Sequence, residues 1–140
     1  MAAALTAGLA VMLPIAHAAP KSGLGGPGDQ AAIIADRLLR AYSNRGSLVA
    51  IGHAVRQERA VGEGTCPTCL SQAIENLLHH LDWSEADVRG RPSAVIRDRI
   101  REETARDFAG GRVLPVRGWL LSETEIKLCA IASLAETSLS

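Results

Sequence analysis

The segment LSQAIENLLHHL, residues 70–81, carries Leu70, Ile74, Leu77, Leu78 and Leu81 at positions i, i+4, i+7, i+8 and i+11. No other feature narrows the fold as much. That spacing gathers all five side chains on one side of an α-helix. A helix with an aliphatic stripe on one side and Glu75, Asn76 and His79 on the other is stable only when something covers the stripe. The rest of the chain must therefore supply further apolar faces.

It supplies them mainly as helices. Ile34, Leu38, Ala41 and Tyr42 share one face of a helix expected to start with Asp29 as N-cap and to close at Asn44–Gly46, with Asp36 and Arg40 paired at i,i+4 on another face. A second helix is expected from Ser47 through Leu48, Ile51 and Val55 toward Arg59, ended by Gly62 and Gly64. Gly52 in its middle weakens it by roughly 1 kcal/mol relative to alanine. The 70–81 helix is expected to be capped by Thr65 or Cys66, with Pro67 in the first turn, where a missing N–H leaves no bond unmade. Asp82–Arg91 reads as a polar connection around Trp83 with one helical turn at Ser84–Asp87. A long helix follows from Pro92 to Phe108, with Ile96, Ile100 and Phe108 inward and Gly110-Gly111 closing it. Its other face pairs Arg99 with Glu103 and Glu102 with Arg106, which reads as solvated rather than as a partner surface.

Arg112–Leu121, RVLPVRGWLL, breaks this rhythm. Its alternation of Val113, Val116, Trp119, Leu120 and Leu121 with Pro115 and Gly118 reads as an extended arm or a short two-stranded ribbon. Ser122-Glu123-Thr124-Glu125 then forms a capping box, the Ser122 hydroxyl and the Glu125 carboxylate each serving the other's backbone N–H. The helix it opens carries Ile126, Cys129, Ala130 and Leu134 inward and frays from Glu136. The expected fold class is all-α, about five helices with the arm at about 112–121 before the last. Tyr42, Trp83, Phe108 and Trp119 are the only aromatics, so Leu, Ile, Val and Ala must build the core. A domain of this size buries roughly two-thirds of its unfolded surface, and a cross-link would help it.

The first 20 residues hold no charged side chain; Leu5–Ile15 is apolar and Ala16-His17-Ala18 follows. That is the pattern of a secretory signal cut after Ala18. The run is about half the ~20 residues needed to span a bilayer, and Pro14 interrupts it. The expected plan is a signal peptide at 1–18, a flexible linker at 19–28 and a single helical domain at 29–140, periplasmic or secreted. Signals of this kind open with Lys or Arg, so a basic head, of the twin-arginine kind or the simpler one, is expected ahead of Met1. The 15 basic and 15 acidic residues cancel, which leaves nothing like the basic footprint of a nucleic-acid binder.

Cys66, Cys69 and Cys129 are the three cysteines. In an oxidising compartment a structural disulfide is the first expectation, with one thiol left over. A Cys66–Cys69 bond closes almost no loop. A bond from either to Cys129 encloses about 60 residues and restricts the unfolded chain by roughly 4 kcal/mol. The catalytic alternative makes Cys66 a nucleophile activated by the helix dipole and Cys69 its resolving thiol, since Cys66-Pro67-Thr68-Cys69 resembles the active-site turn of glutaredoxins. Leu114-Pro115-Val116 with Gly118 faintly resembles the cis-proline loop that accompanies that turn. Such a fold needs a buried strand running into the motif, and VRQERAVGEGT before it is polar and glycine-rich. A zinc site from the two thiols with His79 and His80 fails on distance, because Cys69 and His80 lie roughly 16 Å apart along a continuous helix. No metal or cofactor is expected. Serines lack a G-x-S-x-G setting, and there is no phosphate-cradling glycine loop.

Asp107–Ala132, DFAGGRVLPVRGWLLSETEIKLCAIA, resembles the C-terminal end of small exported bacterial helical proteins with the pattern D-F-A-x-G-R-x-V-x-V-x-G-W-x-L-S-x-T-E-x-x-L-C-A. The resemblance implies export, a helical fold and a distinctive unit of Gly118, Trp119, Ser122, Thr124, Glu125 and Cys129; it implies no activity. The Cys66/Cys69 pair is not part of it. Gly118-Trp119 reads either as a turn glycine with a core aromatic or as an arm docking on a partner through Trp119, Leu120 and Val116. The function expected from all this is an exported interaction protein, a small accessory subunit of a periplasmic redox enzyme. The second reading is a thiol–disulfide oxidoreductase.

Overall fold

The computed structural model describes residues 26–59 and 67–138. The expected signal segment, most of the linker and Cys66 lie outside them. Among the described residues are six helices and one two-stranded antiparallel ribbon. The chain is mostly helical, though not purely so.

Helix α1 (Pro27–Leu39) starts two residues before the expected Asp29, because Pro27 takes the first helical position, where its fixed φ suits the turn. Helix α2 (Arg45–Arg59) also starts early. The Asn44 carboxamide oxygen accepts from the Ser47 N–H at 3.1 Å, so Asn44 opens α2 rather than closing α1. Helix α3 (Leu70–Leu81) starts late, with Cys69 at the N-cap in extended conformation. The expected cap at Thr65 or Cys66 is displaced: the Cys69 carbonyl accepts the Ala73 N–H at 3.1 Å, and Gln72 Oε1 takes the Thr68 N–H at 3.3 Å. Pro67 precedes the helix.

The expected turn after Trp83 is a short helix, α4 (Glu85–Gly90), held by a capping box between Ser84 and Asp87. It adds a sixth helix and seats Val88 in the core. Helix α5 (Ser93–Ala109) ends at Gly110-Gly111, with Gly111 at φ +72°. Strands β1 (Val113–Val116) and β2 (Trp119–Ser122) pair in the register Val113 with Ser122 through Val116 with Trp119. Helix α6 (Glu123–Ser138) follows, opened by the expected capping box: the Ser122 N–H donates to Glu125 Oε2 at 2.9 Å and the Glu125 N–H to Ser122 Oγ at 3.1 Å. The tail expected to fray from Glu136 stays helical to Ser138, and the Thr137 and Ser138 hydroxyls donate to the Leu134 carbonyl.

Helix α6 runs through the middle of the domain. Every residue from Leu128 to Ala135 is buried, as a helix apolar all round must be. All five stripe residues of α3 are buried against it, together with Ile34, Leu38 and Leu39 of α1 and Ile96 and Ile100 of α5. Phe108, expected inward, is 45% exposed at the end of α5. Gly52 turns out to be a packing requirement rather than a weak point. A Cβ there would sit 2.0 Å from the Cys129 carbonyl oxygen, so only glycine lets α2 approach α6 this closely.

Candidate functional site

Neighbouring residues of the ribbon differ sharply in cover. Val116 and Leu121 pack onto Ala54, Val55 and Ile126 as a second small core. Their cross-strand partners on the same face, Trp119 and Leu114, are 70% and 43% exposed, and Leu120 on the opposite face is 56% exposed. Of the three residues expected to meet a partner, Trp119 and Leu120 are therefore available, while Val116 is buried under the ribbon. The core-aromatic reading of Trp119 fails for the same reason. Its cross-strand partner Val116, on the same face, is buried while the indole beside it is not.

The ribbon is held firmly. Its two-residue turn, Arg117-Gly118, has φ +47° and +83°, the left-handed pair that a type I′ hairpin demands. From that turn Arg117 donates to Gln57 Oε1 at 3.0 Å and lies 3.9 Å from Glu58, tying the tip to α2.

At the ribbon's base Asp107 of α5 is fully buried and acts as a clasp. Its carboxylate accepts from the Thr124 N–H at 2.8 Å, the Thr124 hydroxyl at 2.7 Å and Arg112 Nε at 2.8 Å. Burial pushes this carboxyl up, but those bonds and the neighbouring His80 outweigh it and hold it below the ordinary carboxylate range. One side chain thus joins the end of α5, the start of β1 and the first turn of α6. The polar residues in D-F-A-x-G-R…S-x-T-E acquire a structural meaning here: Asp107, Arg112 and Thr124 form the clasp, Ser122 and Glu125 the cap.

His80, set aside with the rejected zinc site, leans into this clasp from α3. Its Nε2 lies 3.2 and 3.3 Å from the two Asp107 oxygens and 3.1 Å from Thr124 Oγ1. Because the Thr124 hydroxyl proton goes to Asp107, Nε2 must donate, which fixes the neutral ring as the Nε2–H tautomer. His80, Glu103 and Asp107 bring ligand atoms within 4.8 Å of one another. Arg99, Arg106 and Arg112 already lie 3.3–3.7 Å from the Glu103 oxygens, and they take the place a cation would occupy. His79, one residue away, is exposed.

Beside His80 is a cavity of about 310 Å³. Val55, Ile126 and Ala130 form an apolar wall, and His79, His80, Glu123 and Lys127 a polar one. Lys127 Nζ is bonded to the Glu123 carboxylate.

The cysteines do not form the expected staple. Cys69 is an exposed free thiol and Cys129 a buried free one, placed at the start of α3 and against Gly52. No Cys69–Cys129 bridge is formed. Burial, with the Glu125 charge added, pushes the Cys129 thiol up to about 12, far from the depressed range of a nucleophile. No strand runs beneath Cys69 among the described residues.

The sequence signalled the ribbon and the cap but not the clasp, because Asp107 and His80 lie 27 positions apart and meet only through tertiary packing. The available hint was Asp107 on the Ile96/Ile100 side of α5, i+7 from Ile100, where a solvated carboxylate does not belong. Comparison with known proteins adds no homologue: no protein-family model, curated protein or solved structure matches the chain.

Proposed function

We propose that the protein is an exported interaction protein, an accessory subunit of a periplasmic redox enzyme, and that it docks through the exposed apolar residues of its β1–β2 ribbon. The observation that carries this reading is the 70% exposure of Trp119 on a ribbon whose tip and base are both fastened. An indole left in water costs solvation free energy that burial against a partner recovers, and tryptophan is the side chain most concentrated at the centres of interfaces. Leu114 is exposed on the same face, and Leu120 adds an exposed apolar side chain on the opposite face. The short ribbon also has open strand edges to which a partner strand can add. The alternative, thiol–disulfide exchange at Cys66 and Cys69, is less well supported, since the motif's second cysteine is a helix cap with no sheet behind it among the described residues.

The test is co-purification of the full-length protein from its native envelope fraction. One enzyme should accompany it in stoichiometric amount. The double variant Trp119→Ala, Leu120→Ser should lose that companion, while Val95→Ser, an exposed apolar site on α5 away from the ribbon, should keep it. Companions that survive the ribbon variant, or a variant that merely converts a homodimer to monomer in sedimentation, would refute the reading.

A further inference from the structure

The cavity beside His80 carries an independent inference. Nε2 of His80 is committed inward, to Asp107 and Thr124, both of them fully buried. The opposite nitrogen, Nδ1, has no hydrogen-bond partner among the described residues; its nearest carboxylate oxygen, on Glu123, is 3.9 Å away, beyond bonding distance. In the tautomer fixed by the clasp, Nδ1 is a bare acceptor on the cavity side of the ring, fixed in direction by the bonds Nε2 makes to Asp107 and Thr124.

The charges around it select the ligand. An anion would meet Glu123 near Nδ1 and Asp107 behind the ring, and the single nearby ammonium, Lys127, is already held by Glu123. A cation would find Asp107 spent on Arg112 and Thr124, and Glu123 spent on Lys127. What remains, besides the Asn76 carboxamide and the His79 ring on the same polar wall, is one directed acceptor facing an aliphatic wall of Val55, Ile126 and Ala130. The volume is at the small end of ligand sites.

We propose that this cavity binds a small neutral molecule with one hydroxyl on an apolar body, a phenol or short alcohol, whose hydroxyl donates to His80 Nδ1. The site stands apart from the proposed docking patch in the chemistry it reads. It nonetheless shares Val55 and Ile126 with the core beneath the ribbon.

Phenol and toluene are the probes, titrated into the full chain and followed by amide chemical shifts and calorimetry. Phenol should bind about tenfold more tightly than toluene, a hydrogen bond's worth of discrimination, with shifts centred on residues 76–80 and 123–130. His80→Gln should erase that preference. The Gln side-chain amide can still donate to Asp107 and Thr124, yet it offers no acceptor where Nδ1 stands. His53→Gln, an exposed histidine outside the cavity lining, should leave the preference intact. Equal binding of the two probes, or shifts located elsewhere, would overturn the proposal without any variant having to fold. A phenol preference that persists in His80→Gln would overturn the assignment to His80.

Discussion

Helix α6 and the β1–β2 ribbon are neighbours in the chain, draw on the same aliphatic side chains, and end in opposite situations. In α6 every residue from Leu128 to Ala135 is enclosed, because four other helices lay apolar faces against it. The ribbon has only two strands, and the helices α2, α5 and α6 that touch it cover only part of it. Val116 and Leu121 find cover, and Trp119, Leu120 and Leu114 do not. Apolar composition alone therefore does not decide burial here; the number of surfaces available to cover each face does. A two-stranded ribbon has too few, so its uncovered residues are the informative ones.

The enclosed half of the comparison is tested most severely at Gly52. On helix propensity alone, Gly52→Ala should stabilise the protein by roughly 1 kcal/mol. A methyl 2.0 Å from a backbone carbonyl oxygen must instead push α2 off α6. The expected net effect is a loss of about 3 kcal/mol, at the upper end of overpacking costs, read from urea unfolding. A stability gain would mean the two helices do not meet as described.

The joint between the two halves comes next. Asp107→Asn keeps the shape of the clasp but removes its charge, and should cost about 2 kcal/mol, the value of hydrogen bonds to an ionised group. The acid response gives an independent reading. The folded-state pKa of Asp107 is depressed despite burial. Glu123 is depressed too, chiefly through its bond to Lys127. Their contributions are complete above the unfolded carboxylate values near about pH 4 and are lost as pH falls through the lower folded values. The melting temperature of the native protein should therefore fall more steeply below about pH 4 than that of Asp107→Asn. Parallel curves would show that Asp107 contributes no linkage.

How much of this was legible before the structure depended on whether the signal was local. The α3 stripe, the glycine stop after α5, the Ser122–Glu125 box and the break in rhythm at 112–121 are all written within a few residues, and each is present. The starts of α1, α2 and α3 shifted because several residues there could cap, and tertiary packing chose among them. Val116 and Trp119 could not be sorted by pattern, since facing strand positions look alike until one side is covered. Gly52 read as a weak point, and no local pattern gave Asp107 a role. Their roles are distances to α6, and a one-dimensional pattern holds no distances.

Val116 and Trp119 sharpen the contrast further, because they are cross-strand partners with opposite exposure. Trp119→Ala should change stability by no more than about 0.5 kcal/mol, as a surface substitution does. Val116→Ala should cost about 2 kcal/mol through the cavity it leaves. Thermal unfolding of the two variants side by side measures the difference. If the larger residue proves the costlier to remove, its side chain is packed in solution and the patch is not a free surface.

The smallest effect concerns the turn between them. Arg117 holds φ +47°, where a non-glycine side chain is strained by roughly 1–2 kcal/mol unless, like asparagine, it tolerates the left-handed region. Arg117→Asn creates the Asn-Gly pair that type I′ hairpins favour. It also gives up the contacts to Gln57 and Glu58, and exposed contacts of that kind are worth a few tenths to about 1 kcal/mol. The net expectation is a gain of about 0.5 kcal/mol. Stability and docking should then separate. If the arginine's reach to α2 sets the angle at which Trp119 is presented, Arg117→Asn will melt higher yet retain less of its companion in co-purification. If the turn alone sets that angle, retention will be unchanged.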